Sequence, residues 1–305
     1  MVIREEYLFE DLAEYLYSSN DLLIAGEPSN EERSCFFLKH WKQRHKDVLL
    51  LKRLETDKVT YRFLHNDIFS TSRSVDLCTG IVPILRHYRV DEKKIVLDMS
   101  SLDHVLIMFL TKQLITQVVP RTFFASYIRP KQYSQQTGTI GFSLCEKVLA
   151  VNSVPGFTKR ESGNQTLCSF LGFEGVRLKN ILESVHNIEK FIPVVAFPSG
   201  APQWYNVTMW NSMDILQGES GDYAIRKCFS ESVFEAVNLL QQNIYSEDKV
   251  VLAPLGTRPH SMACAIFACK HLNTRIIYDY VIESEHRAKD IANITIYHLS
   301  SFLNT

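Results

Sequence analysis

One short stretch of the chain brings small, polar and basic residues together where an apolar run ends. The run VVLAPL at 250–255 is followed by Gly256-Thr257-Arg258-Pro259-His260-Ser261. Glycine allows close backbone approach, proline suits the first turn of a helix, and a guanidinium matches phosphate or carboxylate. The pattern predicts an anion-binding site where a strand gives way to a helix.

A related stretch follows an apolar run in the first half of the chain. It reads Asp98-Met99-Ser100-Ser101-Leu102-Asp103 and lacks the glycine and the arginine. Asp98, Ser100 and Ser101 are predicted ligand-binding residues here. The alternative for both stretches is helix capping, in which a serine, threonine or aspartate simply accepts hydrogen bonds from the first turn.

A second pair of stretches combines a glycine, a carboxylate and an arginine. The first half has Gly26 followed by Glu32-Arg33, and the second half has Gly172, Glu174 and Arg177. Such a set could hold a ribose hydroxyl and a phosphate, and we count Gly172, Glu174 and Arg177 as candidate ligand-binding residues. The alternative is a glutamate placed at a helix start by the helix dipole. Neither stretch is a G-x-G-x-x-G or P-loop motif.

Two further segments carry candidate residues. In the segment 278–287, Tyr280 is a candidate for stacking on a base. Glu283 is a candidate ligand-binding residue, and Glu285 and His286 are possible acids, bases or ligands. A charged surface turn is the alternative. In the segment 201–213, APQWYNVTMWNSM, the aromatic residues are either core packing or a partner surface.

The cysteines and histidines do not predict a metal site or a cofactor. The cysteines are odd in number, scattered and never spaced as C-x-x-C, and the histidines are dispersed. The motifs of the serine hydrolases, zinc peptidases and cysteine proteases are absent from the sequence. We therefore predict no metal and no cofactor, and the sequence leaves open whether the chain is an enzyme.

The composition of the chain limits the classes of partner that we expect. The formal net charge is −1, so no overall basic field attracts nucleic acid or an anionic membrane. No apolar run approaches about 18 residues, and the amino terminus is acidic and amphipathic. We predict a cytoplasmic protein with reduced thiols, which binds a nucleotide-like small molecule and a partner protein or a second copy of itself. Nucleic acid would be reached only through a partner, and a membrane is not expected.

The elements that position these residues form a repeat. The strand-like run KKIVLDMSS resembles DKVVLAPLG, and RTFFASY resembles TRIIYDY, with helix-like segments of similar length between them. Apolar runs that alternate with amphipathic segments predict βα units around parallel strands. Strands are predicted at 21–25, 47–52, 94–98, 121–127, 166–171, 191–197, 248–253 and 274–281. An internal duplication explains the repeat better than two convergent α/β patterns.

The predicted fold class is α/β, with two tandem, internally duplicated Rossmann-like units whose parallel sheets pack pseudo-symmetrically. The first unit spans 1–134 and includes an amino-terminal helix. A connecting segment with room for a strand spans 135–165, and the second unit spans 166–305. Parallel strands place the loops after their carboxyl ends at one sheet edge, where such folds bind ligands.

The Gly-Thr-Arg-Pro-His-Ser-Met stretch at 256–262 resembles the ligand loop of CRISPR-associated Rossmann-fold domains. Those domains carry an Asp-x-Thr-Gly-Gly-Thr-Lys-type stretch there and bind cyclic oligoadenylates. Two such modules in one chain also resemble the SAVED domains of bacterial anti-phage systems. The resemblance implies ligand contacts from Gly256, Thr257 and Arg258, with Ser100 and Ser101 facing them. This chain has one glycine before Thr257 rather than two, and an arginine in place of the lysine.

Three functions follow from these observations. The first is a sensor or regulatory subunit of an antiviral defence complex, which binds a nucleotide-like anion at the facing carboxyl edges of the two sheets. The second is an enzyme that hydrolyses or transfers a nucleotide or an NAD-type substrate, with Glu174, His260 and Glu283 or Glu285 as acid–base groups. The third is a structural subunit that contacts a partner through the aromatic segment.

Overall fold

A computed structural model describes residues 6–133, 142, 144–159, 163–218, 224–246, 248–284 and 288–303, without the side chains of 146, 283, 301 and 302. The elements up to residue 133 are β1 (Glu6–Leu8), α1 (Phe9–Ser19), β2 (Leu22–Gly26), α2 (Glu32–Lys42), β3 (Asp47–Arg53), β4 (Lys58–His65), β5 (Ile68–Phe69), β6 (Arg73–Asp76), α3 (Leu77–His87), β7 (Lys94–Asp98), α4 (His104–Thr116) and β8 (Thr122–Tyr133). The later elements are β9 (Cys145–Ser153), β10 (Gln165–Phe170), α5 (Gly175–Ser184), β11 (Ile188–Ala196), α6 (Pro202–Gly218), β12 (Arg226–Cys228), α7 (Val233–Asn243), β13 (Val250–Pro254), α8 (Arg258–Lys270), β14 (Thr274–Glu283), β15 (Ala288–His298) and α9 (Leu299–Leu303).

The chain divides into two compact units. The first unit is Met1–Gln132 together with Ala288–Thr305, and the second unit is Tyr133–Arg287. The carboxyl-terminal segment was expected in the second unit, within 166–305. It lies in the first unit because β15 occupies the place between β1 and β8 in that sheet.

The first unit is built on a mixed sheet. Its described strands follow the order β1-β15-β8-β7-β2-β3-β4-β5, with β6 paired to β4. The central strands β3, β2, β7 and β8 are parallel, as their continuous apolar runs predict. β4 pairs antiparallel with β3, because a connection of only a few residues joins them and leaves no room for a crossover.

The second unit is also built on a mixed sheet, whose described strands follow the order β12-β11-β10-β13-β14-β9. Five neighbouring strands of this sheet are parallel to one another: β12, β11, β10, β13 and β14. Only β9 runs antiparallel, along β14. The fold is therefore α/β, and the expectation of purely parallel sheets is wrong for both units, since each has antiparallel strands at an edge.

The central strands have the same order in both sheets. If the four central strands of each unit are numbered along the chain, both sheets read second, first, third, fourth. In both units, the strand that follows the fourth central strand along the chain belongs to the sheet of the other unit. β9 follows β8 along the chain but pairs with β14, and β15 follows β14 along the chain but lies beside β8.

Helices cover the apolar faces of both sheets. In the first unit, residues of α1, α2 and β15 form one core cluster with β2 and β3, centred on Phe37 and Trp41. In the second unit, α5 packs over β10, β13 and β14 around Leu178 and Ile181. α8 is buried along nearly its whole length, from Arg258 to Ala268. No helix in the described part of the chain is long and apolar enough to cross a membrane.

Candidate functional site

The loops after β10 and β13 meet at the carboxyl edge of the second sheet. β10 and β13 are parallel neighbours, so their ends lie side by side. A Cβ atom added to Gly172 would lie 2.4 Å from the carbonyl oxygen of Leu255. Glycine is therefore required at 172 for backbone packing, and this contact holds the two loops together.

The start of α8 does not show the side-chain capping that was the alternative to a binding site. Thr257 occupies the N-cap position, but its side chain makes no cap hydrogen bond. Its hydroxyl instead donates to the carbonyl oxygen of Ser230 at 2.6 Å. The first-turn N–H groups of α8 therefore have no cap from the Thr257 side chain, and Pro259 has no N–H to satisfy.

Two sources of positive charge belong to this helix end. Arg258 is the first residue of α8 and is buried, with 6% of its surface exposed. The amino end of a helix carries about half a positive charge from its aligned peptide dipoles. The Arg258 side chain carries a full positive charge, and a helix amino end together with a guanidinium is an arrangement suited to an anionic group.

His260 is held by the loop that precedes α7. Its Nε2 lies 3.1 Å from the carbonyl oxygen of Phe229, which can only accept, so Nε2 carries the proton. The ring packs on Phe170 with 4.7 Å between the ring centroids. Burial lowers the pKa of His260 to about 4, only partly offset by the Phe229 contact, so the ring is neutral at pH 7.

The loop that receives these contacts is itself fixed by the start of α7. The Ser232 hydroxyl accepts from the backbone N–H of Glu235 at 3.0 Å, and the Glu235 carboxylate accepts from the Phe229 N–H at 3.1 Å. Phe229 and Ser230 were not among the predicted site residues. The signal that could have found them is the S-x-x-E spacing of Ser232 and Glu235, which marks a helix start.

Glu174 and Arg177 lie close together in an internal network of hydrogen bonds and charges. Arg177 donates two hydrogen bonds to the fully buried Asp279, at 2.6 and 2.7 Å. Glu174 lies 3.8 Å from the Arg177 guanidinium and accepts from the backbone N–H groups of Leu144 and Cys145. This network ties α5 to β14 and to the start of β9. Asp279 lies in the segment 278–287 but was not singled out as a candidate, because its contact with Arg177 joins segments that are far apart in the chain.

The Cys145 thiol belongs to the same network. It donates to the Glu174 carboxylate at 3.2 Å. Burial, reinforced by the charge of Glu174, raises the pKa of Cys145 to about 12, so the thiol stays protonated and remains a donor. Burial also raises the pKa of Asp279 above its ordinary value, although Arg177 opposes this shift.

Tyr280, the candidate residue of β14 whose side chain is described, does not line an exposed site. Tyr280 is 2% exposed and packs edge-on against Tyr278, with 6.3 Å between the ring centroids. A base could not stack on it without rearrangement. The side chain of Glu283, and the whole of Glu285 and His286, lie outside the described residues.

The corresponding edge of the first sheet is closed by hydrogen bonds. Asp98 accepts from the Ser100 N–H at 2.9 Å and from the Ser101 hydroxyl at 2.7 Å. The Ser101 hydroxyl accepts from the Gly26 N–H at 2.8 Å, and the Ser100 hydroxyl accepts from the Ile128 N–H at 2.7 Å. The three predicted ligand-binding residues of this unit therefore join its loops to one another.

The aromatic segment 201–213 divides into a buried and an exposed part. Trp204 is 6% exposed and packs against Tyr133, at 4.8 Å between centroids, and Phe173. Trp210, on the other face of α6, is 64% exposed, and Met213 is exposed beside it. The core interpretation thus applies to Trp204, whereas the partner surface stays a prediction for the exposed residues of the same helix.

No model of a protein family matches this chain, and a search of curated proteins found no match either. Within the described residues, no three histidine, cysteine, aspartate or glutamate side chains are grouped so that they could hold a metal ion.

Proposed function

We propose that this chain is a sensor or regulatory subunit whose second unit binds a nucleotide-like anion at the carboxyl edge of its sheet. The observation that carries the proposal is the start of α8, where the buried Arg258 adds its charge to an amino end that the Thr257 side chain does not cap. Unsatisfied N–H groups and a positive dipole end are the features by which helices bind phosphate groups.

The surrounding contacts favour a preorganised site. Gly172 packs on the backbone at Leu255, and Thr257 and His260 both bond to the loop at 229–230. A site whose loops are already ordered loses less conformational entropy when it binds. The network of Arg177 and Asp279 has an indirect role in this proposal. It positions the loop after β10 and does not itself contact the ligand.

The proposal includes an internal duplication. The shared order of the four central strands supports it, as does the reciprocal exchange of β9 and β15. Two unrelated α/β patterns would have to agree in both features independently. The two copies have diverged at their carboxyl edges, and we assign the ligand to the second copy. The defence setting rests on the sequence resemblance alone.

The enzyme alternative has weaker support. Two of its acid–base groups, Glu174 and His260, are engaged in other contacts, and His260 is buried and neutral. The exposed Trp210 and Met213 favour a second candidate function, a partner-binding subunit, because large exposed apolar groups commonly mark an interaction surface. A sensor that signals through a partner would use both sites.

The test is thermal unfolding of the whole chain with mononucleotides, dinucleotides, cyclic oligonucleotides and NAD. We expect at least one of them to raise the melting temperature, and Arg258→Gln to abolish that increase while Arg258→Lys keeps part of it. Arg226→Gln, at an exposed arginine of β12, is the matched control and leaves the increase unchanged.

Each variant is first melted without nucleotide, which separates loss of binding from loss of folding. A flat response across the whole panel contradicts a nucleotide sensor and leaves the partner-binding function. An increase that survives in a folded Arg258→Gln variant places the ligand away from α8.

A further inference from the structure

Two buried polar atoms beside the start of α8 make no hydrogen bond with any described residue. They are Nδ1 of His260, whose residue is 1% exposed, and the hydroxyl oxygen of Ser230, whose residue is 5% exposed. Ser230 belongs to the loop at 229–230 and His260 to the first turn of α8, and the Thr257 and His260 contacts join these two segments. Buried polar atoms are nearly always satisfied in proteins, so this pair calls for an explanation.

The chemistry of Nδ1 is fixed by the other ring nitrogen. Because Nε2 donates its proton to the Phe229 carbonyl, Nδ1 of the neutral ring has only a lone pair and can only accept. A fully ionised phosphate offers acceptors alone. It can therefore accept from the Ser230 hydroxyl, but it cannot donate to Nδ1. A hydroxyl group can donate to Nδ1 and also accept from Ser230.

The position of Nδ1 connects it to the proposed anion site. It lies 3.0 Å from the point where a Cβ atom on Gly256 would stand, and Gly256 itself is only partly buried. The nitrogen is thus directly inside the exposed part of the loop that leads into α8. Any side chain at 256 would crowd Nδ1. Glycine at this position lets a ligand come close to Nδ1.

We propose, on the basis of the function proposed above, that the ligand carries a sugar hydroxyl that donates to Nδ1 of His260 while its anionic group lies at the start of α8. The site therefore selects a ribose phosphate or a nucleotide over a bare anion. Since Nδ1 is buried, the loop at Gly256 shifts slightly as the ligand enters. His260 is a specificity-determining residue in this arrangement.

The test uses AMP and 2′,3′-dideoxy-AMP, which share a phosphate and a base but differ in the two ribose hydroxyls. Isothermal titration calorimetry of the whole chain measures both affinities. We expect the wild type to bind AMP about tenfold or more tightly than the dideoxy compound, as one lost hydrogen bond to a buried acceptor predicts.

Two substitutions separate the two ring nitrogens. The amide of His260→Gln reaches the Nε2 position and can donate to Phe229, but it leaves no acceptor where Nδ1 was, so the preference for AMP falls to about one. The oxygen of His260→Asn stands near Nδ1, so this variant retains a preference for AMP. A role that is only structural would not produce this opposite pair of results.

Equal binding of AMP and dideoxy-AMP to the wild type overturns the inference, and if Arg258→Gln abolishes both, the anion site itself still stands. An unchanged preference in His260→Gln, accompanied by an altered melting temperature, also overturns it and assigns Nδ1 to an internal water. Failure of both compounds to bind overturns it as well, and the nucleotide panel then decides the proposed function independently.

Discussion

The carboxyl edges of the two sheets share a backbone contact and differ in what their polar side chains do. In each unit, a glycine at the end of the first central strand or just beyond it packs against the backbone that follows the third one. A Cβ on Gly26 would lie 2.0 Å from the Ser101 carbonyl oxygen, and one on Gly172 would lie 2.4 Å from that of Leu255. The frame is therefore the same in both units.

At the first edge, the polar side chains make hydrogen bonds within the edge. Asp98 and the two serines after it bond to each other and to neighbouring backbone N–H groups. At the second edge, the side chains of Thr257 and His260 bond to carbonyl oxygens of the loop at 229–230. Nδ1 of His260 remains without a partner among the described residues. This difference is the reason why we propose a structural joint at the first edge and a binding site at the second.

The largest expected effect tests the shared frame. Gly26→Ala and Gly172→Ala each place a methyl group against a backbone carbonyl, which cannot rotate away as a side chain can. We expect the free energy of unfolding, measured with urea, to fall by about 3 kcal/mol or more in both variants. Gly218→Ala is the control, since its Cβ would meet nothing within 4 Å, and its stability stays the same or rises by up to about 1 kcal/mol.

If only one of the two glycine variants is destabilised, the close approach of the loops is not a common feature, and the comparison of the edges loses its basis. If Gly218→Ala is destabilised as strongly, the effect is general to glycine positions in this chain and says nothing about the edges.

The central strands could be predicted from the sequence because strands buried on both faces read as continuous apolar runs. β7 and β13, for example, lie within about two residues of their predicted positions. β15 was missed because its partners lie far away in the chain, and no local pattern encodes such pairing. β6 is not among the predicted strands, although Asp76, which caps α3 by accepting from the Thr79 N–H, marks the residue where that strand ends and the helix begins.

The residues of the candidate site could be predicted by type but not by contact. The sequence indicates that Thr257 and His260 stand at a strand-to-helix junction. It does not indicate that both reach the loop at 229–230, because that contact depends on how segments distant in the chain are brought together. For the same reason, the pairing of Arg177 with Asp279, rather than with a ligand, could not be read from spacing.

The next expected effect concerns pH at the second edge. The pKa of His260 is about 4 in the folded chain and about 6.5 when unfolded, so the unfolded chain binds the proton more tightly. The contribution of His260 to stability is therefore present above pH 6.5 and is lost as the pH falls towards 4. Between pH 7.5 and pH 5 this loss amounts to about 2 kcal/mol.

Urea unfolding of the wild type and of His260→Gln at both pH values measures this effect, because glutamine does not titrate and all other groups are shared. We expect the stability of the wild type to fall by about 2 kcal/mol more than that of the variant. Parallel pH profiles would mean that His260 is protonated equally easily in the folded chain, and its neutral ring would no longer distinguish the second edge.

The smallest expected effect compares one hydroxyl at each edge. Thr257→Val removes the donor to the Ser230 carbonyl, and because Thr257 is only partly buried, water can replace it. We expect a loss of about 1 kcal/mol in the free energy of unfolding. Ser100→Ala is the matched variant at the first edge. It leaves the Ile128 N–H without its acceptor in a buried place, and we expect a loss of about 2 kcal/mol. The reverse order would mean that the second edge, not the first, is the structural joint, and that the proposed binding site is closed by its own contacts.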